Sequence, residues 1–123
     1  MRVLIVDDSR ATRLMLRKQL VADGFEVAEA SHGAEALSVL RTPGAPVGLA
    51  LLDWNMPVMG GLECLKAIRA ESRYSRMQVL MVTSESDLQC VSDALEAGAN
   101  EYLMKPFSAE SLRNKLELMG IEK

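Results

Sequence analysis

Four short apolar runs limit what this chain can fold into. Residues 3–6 (VLIV), 48–52 (GLALL), 79–82 (VLMV) and 102–104 (YLM) are apolar at successive positions, not at alternate ones. Neighbouring side chains of a strand point to opposite faces, so such runs need apolar cover on both sides. A parallel sheet with helices on each face supplies it. Residues 25–30 (FEVAEA) alternate in part and suit an edge strand. Segments of helical period lie between the runs. Met15, Leu16 and Leu20 mark the first, closed by Gly24; Leu37 and Leu40 mark the second; Gly61, Leu65 and Ile68 mark the third. Leu88, Val91 and Leu95 mark the fourth, stopped by Gly98, and Leu112, Leu116 and Met119 mark the fifth, opened by Ser108 as an N-cap. Strand and helix alternate five times. That predicts a doubly wound α/β sandwich, a five-stranded parallel sheet with five helices.

The 123 residues are enough for one domain, 1–123, whose core needs no disulfide or metal staple. No apolar run approaches the roughly 18 residues that cross a bilayer. The apolar stretch near the N-terminus is too short for a signal peptide, so a cytoplasmic protein without membrane insertion is expected. A net charge of −3 gives no electrostatic reason to bind nucleic acid. Cys64 and Cys90 form no metal or redox motif and read as buried thiols in a reducing compartment. The one Pro/Gly-rich stretch, residues 42–46, reads as a surface loop. Met1 reads as an intact start, and Lys123 as either the natural end or the cut edge of a longer protein.

The residues that end the strands carry the chemistry. The first strand ends in Asp7-Asp8, the third in Asp53, the fourth in Thr83 and the fifth in Lys105. Right-handed crossovers bring all these ends to one edge of a parallel sheet, where open α/β folds bind their ligands. The carboxylates of strands one and three meet only if those strands are neighbours, which implies the flavodoxin-like order 2-1-3-4-5. Each residue alone has a plain reading: acids at a helix N-terminus, hydroxyls that cap the next helix, a solvated lysine. Together they do not. Three crowded carboxylates repel, and a cation is the usual remedy. Hard oxygen donors in small number suit Mg²⁺, which completes its shell with waters and a phosphoryl oxygen. A lysine and a threonine hydroxyl supply donors for the other phosphoryl oxygens. The edge reads as a site for a phosphoryl group beside an exposed carboxylate.

The motifs "VDDSR", "LDWNMPVMGG", "MVTSE" and "YLMKPF", in that order, cover essentially the whole chain and resemble the receiver domain of two-component signalling. "DWNMP" with "TSE" and "KPF" resembles the single-domain, chemotaxis-type response regulators. The resemblance implies a phosphorylation-activated switch. Asp53 is then the phosphoacceptor, fed by a histidine kinase. Asp8, Asp53 and the backbone carbonyl of Asn55 hold Mg²⁺, with Asp7 acting through a water. Lys105 and Thr83 bind the phosphoryl group, and small Ser84 keeps the approach open. Thr83 and Tyr102 couple the site to the surface of helix four, strand five and helix five, where a downstream protein binds, in chemotaxis the flagellar switch. Asn55 and Glu85 tune dephosphorylation. Pro57 and Gly61 turn the chain away after Asp53, and Pro106 matches the family's cis proline, with a trans bond in an ordinary turn left open. A monomer is implied, catalysing only its own phosphorylation and dephosphorylation rather than acting as an enzyme on others.

Alternatives within the family are a single-domain phosphorelay or developmental regulator, and the receiver fragment of a larger one. An aspartate-nucleophile phosphatase would need a DxD pattern, whereas Trp54-Asn55 follow Asp53. A flavodoxin-like cofactor binder would need a phosphate loop where "DDSRAT" places two acids. A docking module that is never phosphorylated would need no such set of groups. Gly60 stands where the family often has aspartate, which weakens the start of helix three by a few tenths of a kcal/mol. His32 reads as a solvated loop residue. The eight methionines mostly fit core positions, with Met56 and Met59 near the site as candidate partner contacts, and Trp54 reads as either a partner contact or a half-exposed ring.

Overall fold

The computed structural model describes residues 1–44, 46–84 and 88–122. Five parallel strands, β1 (Arg2–Val6), β2 (Glu26–Ala30), β3 (Val47–Asp53), β4 (Gln78–Thr83) and β5 (Glu101–Met104), form one sheet in the order β2-β1-β3-β4-β5. Helices α1 (Arg10–Ala22), α2 (Gly33–Arg41), α3 (Gly61–Arg69), α4 (Leu88–Glu96) and α5 (Ala109–Leu118) connect them, with a 3-10 turn at Ser72–Tyr74. The order is the one that the strand-end carboxylates require.

The double-sided apolar runs divide between two cores as the pleat dictates. Leu4, Val6, Ala50, Leu52, Val79 and Met81 meet Ala36 and Leu37 of α2, Cys64, Leu65 and Ile68 of α3, and Ala94 of α4. The alternate residues Val3, Ile5, Leu49, Leu51, Leu80 and Val82 meet Leu16 and Leu20 of α1 and Leu112 and Leu116 of α5. Helix ends follow their sequence signals. Gly24, at φ 98°, lets the chain reverse after α1, with its N–H on the Val21 carbonyl and that of Phe25 on Leu20. Ser108 opens α5 in a capping box with Ser111.

Three expectations need correction. Strand β5 is covered only in part on the α2–α4 side: Leu103 is buried in the α1/α5 core and Tyr102 packs against the other core, but Met104, on the same face as Tyr102, remains 39% exposed. Met15 and Leu95 point outward from their helices, because Leu16 and Leu20 in α1 and Ala94 in α4 already fill the stripe facing the sheet. His32 is not a bystander. Its Nδ1 accepts the N–H of Glu35 at 3.1 Å, which makes it the N-cap of α2, a role that an imidazole acceptor can fill as a carboxylate would. Met56, Met59 and Trp54 are partly buried and pack against the core beside α2 and α3, in keeping with the core reading of the methionines and the half-exposed reading of the indole.

Candidate functional site

Backbone pairing carries the site residues beyond the ends of the strands. Val6 pairs with Ala30 on one side and Leu52 on the other, so the residues that follow, Asp7 and Asp53, emerge side by side. The ladder continues one step further. The N–H of Asp7 donates to Ala30 at 3.1 Å, that of Trp54 to Val82 at 3.0 Å, and that of Lys105 to Thr83 at 2.8 Å. By strand parity Asp7, Asp53 and Lys105 belong to the α1/α5 side, in register with Ile5, Leu51 and Leu103, whereas Thr83 belongs to the α2–α4 side with Met81.

One carboxylate oxygen from each of Asp7, Asp8 and Asp53 lies within 4.8 Å of the others. The Lys105 Nζ bridges two of these groups, 3.1 Å from Asp7 Oδ2 and 3.3 Å from Asp53 Oδ1. Asp7 is buried and Asp8 exposed. The expected exposed acceptor is corrected here: Asp53 is only 5% exposed, because it lies between its neighbours at the bottom of the cleft. Burial, and next the charge of Asp7, push its carboxyl up to about 6, against the opposing pull of Lys105 and of the Asn55 backbone N–H. Burial lowers the Lys105 ammonium, but the hydrogen bonds and charges of Asp7 and Asp53 outweigh it and the net shift is upward.

One lysine cannot balance three carboxylates. The remaining charge, the all-oxygen donor set and the solvent-facing Asp8 fit a hard divalent cation such as Mg²⁺. Asp8, Asp53 and Asp7 are the side chains placed to hold it. Asn55 supplies its N–H to Asp53.

Thr83 ends β4 and is 3% exposed, one residue beyond the Asp53–Val82 pair. Ser84 is exposed at the next position. Tyr102 lies on the same face of the sheet as Thr83, next to Met81, with the Lys115 ammonium 5.3 Å from its ring centroid. The Lys105–Pro106 peptide is cis. Glu85 lies outside the described residues.

The turn after Asp53 is tight. The N–H of Gly61 donates to the Trp54 carbonyl at 3.0 Å, and Met59 N–H to that of Pro57 at 2.7 Å. Between them Val58 takes φ 68°, a conformation that a β-branched residue adopts at a cost of roughly 1–2 kcal/mol. Its side chain is 83% exposed and gains little in return. Replacing Val58 with asparagine, which tolerates this region, is expected to stabilise the fold by about 1 kcal/mol in urea unfolding; an unchanged or lower midpoint would contradict the strain.

Two contributors carried no clear sequence signal. Ser9 caps α1, accepting the Thr12 N–H, while its own N–H donates to Asp7 Oδ1 at 2.8 Å. Arg13, one turn into α1, donates to the Asp7 carbonyl at 2.6 Å and pairs with Glu29 at 3.2 Å. Helix α1 is thereby tied to the acidic cluster. The Ser-x-x-Thr start of the helix could have suggested the cap; the arginine contact depends on the fold alone.

Comparison with known proteins places this geometry in context. The sequence model described as the response regulator receiver domain matches residues 3–117. The chain is 44% identical over 118 residues to a chemotaxis protein CheY homolog of Campylobacter jejuni, across 95% of this chain and 90% of that one. It is 40% identical over 120 residues to chemotaxis protein CheY1 of Helicobacter pylori, across 97% and 96%. Among solved structures, chemotaxis protein CheY4 of Vibrio cholerae superposes with a TM-score of 0.89 at 38% identity, covering 95% of this chain and 96% of that one.

Proposed function

The chain belongs to the response regulator receiver domain family, and from that membership we propose that it is a phosphorylation-activated signalling switch of the chemotaxis type. Asp53 is the acceptor. Its carboxylate oxygen attacks the phosphorus of a phosphohistidine on a partner histidine kinase, the P–N bond breaks with its electron pair leaving on the imidazole, and an aspartyl phosphate forms. Asp8, Asp53 and the Asn55 carbonyl would hold Mg²⁺, with Asp7 placed to act through a water. When bound, the ion neutralises charge on the transferred group.

The remaining work belongs to side chains. Lys105, already shared between Asp7 and Asp53, passes to a phosphoryl oxygen, and the Thr83 hydroxyl donates to another. Ser84 leaves room for the donor imidazole. Asn55 and Glu85 flank the route of the water that hydrolyses the product. Movement of Thr83 opens space for the Tyr102 ring, which remodels the surface of α4, β5 and α5 for a downstream target. The protein acts on no other substrate. The chemotaxis names of the relatives support that pathway, and the flagellar switch is the downstream target proposed within it.

The observation that carries this reading is the cluster itself: three carboxylates from two adjacent strands, with one lysine bridging Asp7 and Asp53. The test is incubation with Mg²⁺ and acetyl phosphate, followed by intact-protein and peptide mass analysis. One acid-stable, base-labile PO₃ group is expected on Asp53, and none after Asp53→Asn or with the metal chelated. Tyr102→Ala is expected to keep the adduct and lose affinity for the target. An adduct that persists in Asp53→Asn would sink the assignment.

A further inference from the structure

At the edge of the sheet opposite Asp53 lies a cleft of about 340 Å³, lined by Arg2, Arg73 and Arg76 together with Tyr74, Val47 and Met77. The sequence gives no warning of it, since the arginines come from β1 and from the turn before β4. No acid lines the cleft among the described residues. Arg73 lies over the Tyr74 ring, 4.9 Å from its centroid, and pairs outside the cleft with Glu71 at 3.0 Å, a carboxylate already shared with Arg41. Arg76 is exposed and enters no ion pair among the described residues. The hydroxyl of Tyr74, a residue that lines the cleft, is buried without a hydrogen-bond partner. Buried orphans of this kind are rare and call for an explanation, an unseen water or ligand among them.

We propose that this cleft binds a small organic phosphate of mononucleotide size. Guanidinium forks match phosphate oxygens two at a time, and three of them around one cleft suit a dianion better than a single carboxylate. Val47 and Met77 give the less polar part of the ligand a wall that inorganic phosphate cannot use. The volume falls at the lower end of small-molecule sites, roughly 300–1,000 Å³, which admits a mononucleotide and little more. The site is separate from the acidic cluster. Strand β3 runs from Val47 at the cleft to Asp53, a span of about 20 Å.

The test uses the whole ¹⁵N-labelled chain without divalent metal, titrated with AMP and, in parallel, GMP, adenosine and inorganic phosphate. Saturable amide shifts at Gly48, Tyr74 and Met77, with none at Asp8 or Asp53, are the expected result for one or both mononucleotides. Arg76→Glu and Arg73→Glu, both at exposed positions, are each expected to weaken binding at least about tenfold while leaving the remaining spectrum in place. Adenosine and inorganic phosphate are expected to bind more weakly than the intact nucleotide. The proposal is overturned by the absence of saturable shifts, by shifts confined to the Asp53 end, by affinity unchanged in both arginine variants, or by inorganic phosphate binding as tightly as the nucleotides. None of these outcomes bears on phosphorylation of Asp53, so the two readings fail separately.

Discussion

Asp53→Asn is expected to stabilise the metal-free protein near pH 7 while removing the phosphorylation site. In the native state the carboxyl is pushed from 3.8 up to about 6, chiefly by burial and then by Asp7. A group whose folded value lies above its unfolded value binds more protons folded than unfolded between the two. Wild-type stability therefore falls as pH rises from about 4 to 6, and the penalty is complete above that window. That rise corresponds to about 3 kcal/mol. Asparagine, neutral at every pH, escapes most of it, and Lys105 keeps Asp7 at 3.1 Å as a partner. A gain of about 2–3 kcal/mol is expected, on the order of 10 °C in Tm for a chain of this size. It should vanish below about pH 4, where the wild-type carboxyl is protonated in both states.

Saturating Mg²⁺ should narrow or reverse the difference, because a cation that binds the native cluster stabilises the wild type in proportion to its occupancy. Urea or thermal unfolding of both proteins across this pH range, with chelator and then with Mg²⁺, reads all of these effects. A variant no more stable than wild type near pH 7 in chelator would show that the charge of Asp53 is not under strain.

Gly61→Ala is expected to be the most damaging small substitution near the site. A Cβ built there would lie 2.3 Å from the Asp53 carbonyl oxygen and 2.8 Å from the Trp54 Cα. Both neighbours are backbone atoms, so no rotamer relieves the overlap. The start of α3 must move away from the end of β3, or the peptide that carries Asp53 must turn. Overpacking of this kind costs about 3 kcal/mol or more when the surroundings cannot yield. Because the displaced peptide belongs to Asp53, phosphorylation from acetyl phosphate should slow as well, by up to about 100-fold for a misplacement near 1 Å. Gly60→Ala is the matched control. Its Cβ would have 3.7 Å of clearance and its φ of −70° suits any residue, so phosphorylation near wild type is expected, with a stability loss of only about 1 kcal/mol from placing alanine at the N-cap of α3. If the two alanine variants behave alike, close approach at Gly61 is not what fixes the turn.

Some of this was legible before any coordinates. The doubly apolar runs called for two helical layers, and residues such as Leu4 and Ile5 divide between the two cores as the pleat requires. The strand order followed from the need of Asp7 and Asp53 to meet. Other features were closed to sequence reasoning. Nothing in "DWN" tells how deep Asp53 sits, because its depth depends on what Lys105, 52 residues later, covers. The capping role of His32 depends on one rotamer and one backbone N–H. The arginine cleft joins residue 2 to residues 73 and 76, with no spacing that could announce it.

Chain order and chemical type alone thus determined the layering of this protein, the parallel sheet and the collection of acids, hydroxyl and lysine at one edge. These depend on periodicity and on the handedness of crossovers, which are local and general. Only the tertiary structure decided the raised proton affinity of Asp53, the closeness of Gly61 to its backbone and the gathering of guanidiniums at the far edge. Those depend on distances between atoms remote in the chain, and dehydration and charge act through such distances.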